Sequence, residues 1–256
     1  MGLFLRRTMV IGVALMEPHY EYNVGYVARI MKNFGFTDMF LINPKYNKKE
    51  AIRFATHGKD VLASATIISL EELRKKFDVL IGTTALYASS RLNIVRDSIS
   101  PIQLSNLIRQ SESKIDFCIV LGRESSGLLN VEMELCDLVV IIDTKTEYKT
   151  MNISHALAIL LYEVSKMRKQ TDKFHSVTNK ELASRQELDL MIYYVNRLAN
   201  VTGYDKHKLG MLNVSARRLL ARALPKSKEV MLIVSLLRRA ILTITREDKE
   251  GTPISN

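Results

Sequence analysis

Between residues 10 and 142 short, continuous apolar runs alternate with stretches of helical period. The runs are Val10 to Leu15, Met39 to Ile42, Thr66 to Ile68, Val79 to Ile81, Phe117 to Leu121 and Leu138 to Ile142. Unbroken β-branched runs of this length mark strands buried on both faces, so the pattern predicts a mostly parallel six-stranded sheet covered by helices. Segments Val24 to Phe34, Glu50 to Thr56, Leu70 to Phe77 and Ile102 to Gln110 carry the helical period, and Asn152 to Met167 reads as a longer closing helix. Beyond it, Arg168 to Val177 is polar and aperiodic. Asn179 to Asn200, Ala216 to Ala223 and Lys228 to Thr245 are again helix-like, broken by Thr202-Gly203 and Pro225. The expected organisation is therefore an α/β domain over 1–167, a linker over 168–177, a small all-helical module over 178–247 and a disordered tail over 248–256.

Arg6 and Arg7 before the apolar run Met9 to Met16 imitate a secretion signal. The run is too short, Glu17 and Pro18 end it, and no small-residue cleavage site follows, so a first buried strand is the better reading. No stretch approaches the roughly twenty apolar residues of a membrane span. A cytoplasmic protein without membrane contact is expected. Cys118 and Cys136 stand among apolar neighbours, and the histidines are scattered, so neither a disulfide nor a metal site is expected.

Charge adds a partner class. The net charge is +10, and residues 178–247 hold 13 Lys and Arg against 6 Asp and Glu, so that stretch carries +7 of it. A basic surface of this kind favours polyanions. Arg217, Arg218, Arg222, Arg238 and Arg239 are the candidate phosphate contacts, with leucines interleaved.

Three segments carry candidate chemistry, each where a strand or loop enters a helix. In Asn23-Val-Gly-Tyr-Val-Ala-Arg29, Asn23 reads as an N-cap and Arg29 lies off the apolar stripe. Its guanidinium would reach over the gap left by Gly25 to the helix start, a place suited to anions. In Leu121-Gly-Arg-Glu-Ser-Ser-Gly-Leu128 two glycines five apart admit close backbone approach at a strand's C-terminal end, the edge at which α/β sheets bind ligands. No Lys-Ser or Lys-Thr follows the second glycine, so this is not a P-loop. The third segment, Tyr148 to Glu163, starts a largely apolar helix that Asn152 or Thr150 can cap. Taken singly, each also fits an ordinary helix start or strand-to-helix turn.

In this order, Asn-x-Gly-x-x-x-Arg, Leu-Gly-Arg-Glu-x-x-Gly-Leu and Met-Asn-Ile-Ser resemble the three motifs of the SPOUT methyltransferases, in the branch that modifies ribose 2′-hydroxyls. Ala55-Thr-His-Gly-Lys-Asp-Val61 and Ile81-Gly-Thr-Thr-Ala85 extend the likeness towards the TrmJ subfamily, which methylates nucleotide 32 of the tRNA anticodon loop. The C-terminal extension is similar to that subfamily's helical tail.

The resemblance implies a trefoil knot near residues 117–165, a homodimer, and S-adenosylmethionine held by Thr83, Thr84 and Ala85, by Gly122, by Ile142, and by Lys149, Thr150 and Met151. It makes Arg29 the catalytic arginine, with Asn23, Glu124 and Asn152 as polar neighbours. The subfamily often has arginines soon after the Gly-Thr-Ser-Ala segment; here Leu86-Tyr-Ala-Ser-Ser-Arg91 follows, and Arg91 is the expected substitute. A nucleotide-binding oxidoreductase is the rival enzyme class, but no Gly-x-Gly-x-x-Gly follows the first strand, where Gly12 stands alone. A non-catalytic RNA-binding relative is the rival without chemistry, and the intact motif residues speak against it.

Overall fold

The computed structural model describes residues 9–85, 98–111, 115–168 and 182–247. The chain divides into two compact units, 1–178 and 179–256. Unit one holds a wholly parallel sheet in the order β3-β2-β1-β5-β4-β6, built from β1 (Ile11–Met16), β2 (Met39–Ile42), β3 (Thr66–Ile67), β4 (Val79–Thr84), β5 (Phe117–Leu121) and β6 (Leu138–Ile141). All six strands lie where the apolar runs placed them. The residues of β1, β2, β5 and β6 are buried throughout, which is why these segments show no polar alternation. Strand β3 is two exposed residues long, and so short an edge offers little to pair with.

On one face, α4 (Leu70–Lys76) packs Leu70, Leu73 and the following Phe77 against Ala14, Met16, Phe40, Ile42, Leu80, Cys118 and Val120. Gly12 belongs to this face. A Cβ there would stand 2.6 Å from the Phe77 ring and 3.0 Å from that of Phe40, two rings packed edge-to-face at 5.3 Å, so the lone glycine makes room for aromatic packing. A second group of helices packs together: α1 (Glu21–Asn33) against α7 (Ile153–Arg168), and α7 against α5 (Pro101–Gln110). Outside α1 lie α2 (Lys48–Ala55), a 3-10 turn at Thr56–Gly58 and α3 (Lys59–Ala63).

The chain leaves β4 for α5, forms β5 between β1 and β4, and passes through α6 (Asn130–Leu135) to β6 at the far edge. It then returns to α7 beside α1 and α5. The 3-10 turn, α3 and α6 were not anticipated, because elements of three to six residues complete too few turns to show an apolar period.

Unit two consists of α8 (Arg185–Val201), α9 (Lys206–Ala223) and α10 (Ser227–Glu247). Its centre is Ala183, Val230 and Val234, packed by Leu188, Met191 and Tyr194. Helix α8 starts at a capping box of Ser184 and Glu187, and residues 182–184 before it are not helical. Helix α9 begins ten residues earlier than its apolar pattern, because Asp205 caps it by accepting from the His207 N–H at 2.9 Å. Residues 169–177 of the expected linker and the expected tail at 248–256 lie outside the described residues. Among the described residues no helix is long and apolar enough to cross a membrane. Cys118 and Cys136 are buried free thiols, and burial pushes Cys118 well above its ordinary pKa.

Candidate active site

The three motifs meet at the C-terminal edge of the sheet. At the end of β1, Glu17 takes a left-handed φ of +43° and turns the chain towards α1. That helix starts at Glu21 with Tyr20 in the cap position, so Asn23 is not the N-cap expected from its residue type. It lies in the first turn, 1% exposed, because Tyr20 and the two residues after it have already begun the helix.

Its side chain serves a different purpose. Asn23 Nδ2 donates to Glu124 Oε1 at 3.3 Å, and Asn152 Nδ2 donates to Asn23 Oδ1 at 2.9 Å. Asn152 Oδ1 in turn accepts from the Ser154 N–H at 2.8 Å and the Ser154 hydroxyl at 2.7 Å, which caps α7. An ionised carboxylate only accepts, so Glu124 fixes the amide direction of Asn23, and Asn23 fixes that of Asn152. The same Glu124 oxygen accepts from the Tyr20 and His19 N–H groups at 3.3 and 3.4 Å, a favourable position for an anion at a helix start. Polar residues from all three motifs thus form one directed chain, and the sequence grouped these three without showing the links.

The loop carrying Glu124 closes on itself. The Arg123 N–H donates to the Gly127 carbonyl at 3.1 Å and the Gly127 N–H to the Arg123 carbonyl at 2.9 Å, while Gly127 sits at φ +68°. A Cβ on Gly122 would lie 2.3 Å from the Gly127 carbonyl carbon and 2.4 Å from the Leu128 nitrogen. At Gly122 the close approach expected of a ligand is therefore made by the loop's own backbone.

Arg123 pins this loop in place. Its guanidinium makes two bonds to Glu132 of α6, at 2.8 and 2.9 Å, and one to Glu17 at 2.8 Å. Hydrogen bonding from Arg123, followed by that from Lys45, holds the Glu17 carboxyl down at about 2. Burial pushes the Glu132 carboxyl up, but Arg123 and the Leu129 N–H outweigh it and leave it lowered. Sequence reasoning missed this clamp, since nothing local to Arg123 marks residues 106 before and nine after it as partners.

Of the expected cofactor residues, Thr83 to Ala85, Gly122 and Ile142 occupy three neighbouring strand ends, and Lys149 to Met151 lie in the loop before α7. Gly82 pairs with Val120 and Thr84 with Ile141, so the register sets Thr84 beside Gly122 and Ala85 beside Ile142. Thr83 Oγ1 donates to the Val120 carbonyl at 3.1 Å. Thr83, Thr84, Ala85, Ile142 and Met151 are half-buried, Gly122 is buried, and Lys149 and Thr150 are exposed. Arg91 lies outside the described residues.

Arg29 is exposed, and the directed chain does not include it. The gap over Gly25 does not exist: a Cβ there would lie 2.5 Å from Phe54 Cβ and 2.6 Å from the Ala51 carbonyl oxygen, because α2 packs directly on α1. Gly58 likewise packs on the α1 backbone, 2.7 Å from Arg29 Cα when given a Cβ. In unit two, Arg222, Arg238 and Arg239 are exposed and Arg217 is half-buried. Arg218 is only 3% exposed and does not share their surface; it is buried, as are Leu220 and Ala221 of the same helix.

Residues 11–162 match the SpoU rRNA Methylase family. The tRNA (cytidine-2′-O-)-methyltransferase TrmJ of Methanocaldococcus jannaschii is 33% identical over 233 residues, covering 90% of this chain and 99% of its own. The protein of the same name from Sulfolobus acidocaldarius is 29% identical, covering 95% and 98%. The crystal structure of TrmJ from Z. mobilis ZM4 superposes with a TM-score of 0.67 at 21% identity, over 90% of this chain and 98% of that one. With its motifs joined at one sheet edge and its relatives matched nearly end to end, the chain belongs to the SpoU methylase family of SPOUT RNA methyltransferases, on the TrmJ branch.

Proposed function

We propose that the chain transfers a methyl group from S-adenosylmethionine to the ribose 2′-hydroxyl of nucleotide 32 in the tRNA anticodon loop, with cytidine or any base accepted there. The observation that carries this reading is the directed chain Glu124–Asn23–Asn152, which ties all three motifs to one site. The strand-end residues and the loop before α7 suit the cofactor chemically. Together they supply main-chain donors and acceptors, the Thr83 and Thr84 hydroxyls, the apolar side of Ile142 and the cation of Lys149, with no carboxylate among them. Bound there, adenosylmethionine supplies a methyl already activated by its sulfonium.

What remains for the protein is to orient the ribose oxygen and stabilise charge as its proton leaves. The exposed Arg29 fork grips an RNA phosphate. A guanidinium stays protonated at any physiological pH, so its role is positional and electrostatic and not that of a base. Asn23, Glu124 and Asn152 hold the start of α1, and hence Arg29, against the cofactor loops. Arg222, Arg238 and Arg239 on the helical unit track tRNA phosphates. The enzyme works in the cytoplasm as a homodimer. The pairing surface includes the α7 face on which Tyr162 is 52% exposed beside Phe34, where an apolar patch gains from a symmetric partner.

Mass spectrometric mapping of nucleosides in tRNA incubated with the protein and adenosylmethionine tests the activity. A 2′-O-methylated nucleoside at position 32 is expected. Absence of ribose methylation, or a methyl mapped to a base, refutes the assignment. Sedimentation of a fully active monomer at micromolar concentration refutes the dimer.

A further inference from the structure

The start of α1 carries aromatic rings that neither the motifs nor the fold requires. Tyr20, Tyr22 and Tyr26 are 43%, 39% and 40% exposed. Isolated exposed aromatics are ordinary. These are not isolated: the Tyr20 and Tyr22 rings stack at 5.5 Å with 16° between their planes, and Tyr22 meets Tyr26 at 6.4 Å. Phe54 of α2 braces the row edge-on, at 6.4 Å from Tyr22 and 5.9 Å from Tyr26. The rings are therefore held in place before any partner arrives, and a preformed surface loses little entropy on binding.

Charge and position say what the row would bind. Tyr22, Tyr26 and Arg29 recur at i, i+4 and i+7 and so share one face of α1. Tyr20, at the other end, lines a cleft of about 330 Å³ with His19, Lys45, Glu124 and Ser125. Segment 45–53, whose Asn47 N–H donates to Glu21 of α1, carries Lys45, Lys48, Lys49 and Arg53 against the single acid Glu50; Arg53 pairs with Glu50 at 3.2 Å and Lys45 with Glu17. Flat aromatic faces bordered by cations and leading to Arg29 match unpaired nucleotides, whose bases stack while their phosphates take the positive charges. An apolar protein segment would make no use of the cations.

We propose that Tyr20, Tyr22 and Tyr26 form a stacking platform for unpaired RNA bases that flank the target nucleotide, with Lys48, Lys49 and Arg53 following the phosphates. The platform rests on the reading of the substrate as RNA. Stacking accepts any base, so it selects for unpaired loop over duplex and not for sequence.

The test uses the full chain with two probes, a synthetic anticodon stem-loop and a blunt RNA duplex of equal length. Tyr20→Leu and Tyr22→Leu keep apolar bulk but remove the ring face, and Tyr20→Phe and Tyr22→Phe keep the face. Each Leu variant should weaken stem-loop binding by about five- to a hundredfold, the span of one lost base stack. Phe variants, duplex binding and the calorimetric affinity for adenosylmethionine should stay near wild type. As a measurement independent of folding, 5-iodouridine in the loop should photocrosslink the unmutated protein within the peptide carrying Tyr20 to Tyr26. Unchanged stem-loop affinity in the Leu variants, or crosslinks mapping only elsewhere, overturns the platform. Unchanged RNA affinity with an altered sedimentation coefficient assigns the face to contacts between copies of the chain and overturns it too. Failure of the wild type to bind the stem-loop or to methylate it removes the RNA reading, and the platform with it.

Discussion

Replacing Gly122 by alanine tests whether the loop that presents Glu124 is held by its own closure. The new methyl would stand 2.3, 2.4 and 2.6 Å from backbone atoms of Gly127 and Leu128, and backbone cannot swing aside as the tip of a flexible side chain can. The loop must open, which strains or breaks the two Arg123–Gly127 backbone bonds of 3.1 and 2.9 Å. Overpacking of this kind costs about 1–3 kcal/mol, and each of the two strained hydrogen bonds about 0.5–1.5 kcal/mol, so a destabilisation of about 2–6 kcal/mol is expected. Glu124 moves with the loop, releasing Asn23 and the N–H groups at the start of α1.

Gly127→Ala is the control. Open space surrounds that position, and only its φ of +68° penalises a side chain, by about 1–2 kcal/mol. Urea unfolding followed by circular dichroism gives the stability ranking, and calorimetric titration gives adenosylmethionine affinity. Gly122→Ala should be the more damaging on both measures. Equal stabilities for the two variants, or wild-type cofactor affinity in Gly122→Ala, would show that closure is not what holds the loop.

Arg29→Ala should retain adenosylmethionine binding yet slow methyl transfer by at least about a hundredfold, with little rescue by Arg29→Lys, since a point charge does not reproduce the fork; near-normal turnover in either removes Arg29 from the mechanism. The Glu17 carboxyl, lowered from 4.5 to about 2 by Arg123 and then Lys45, stabilises the fold above the unfolded value and loses that contribution as pH falls towards 2. Urea midpoints should therefore drop between pH 5 and pH 2, less so in Glu17→Gln, and identical acid slopes in the two proteins would contradict the clamp. Gly210→Ala, in α9 with nothing within 4 Å, should stabilise the helical unit by about 0.5–1 kcal/mol in the same unfolding assay; a loss of stability would mean that the position is packed. Charge reversal at Arg222, Arg238 and Arg239 should flatten the salt dependence of tRNA affinity by up to about three units if all three touch phosphate, and an unchanged slope places recognition elsewhere.

Sequence alone determined the strands, because burial on both faces leaves a short apolar run with polar or turn residues at its ends, whereas the apolar runs Ala156 to Leu161 and Val230 to Val234 lie inside longer helical segments. It also determined which polar residues form a group, since the three motifs keep their order and spacing along the chain. What it did not determine follows from contacts between distant residues. Asn23 has the residue type of a cap and became the buried centre of a hydrogen-bonded chain, because Glu124, 101 residues later, arrives at the same sheet edge. Gly25 suggested a gap for Arg29 and instead admits α2 against α1, since a glycine records that something comes close without recording what. Arg218 looked like its neighbour Arg217, and only helix packing turned it inward. Tyr20, Tyr22 and Tyr26 were visible as letters, but their stack depends on the turn at Glu17 and on Phe54 across the helix interface. Periodicity is local and can be read along the chain, whereas each of these partners is chosen by how the sheet edge and helix faces come together in space.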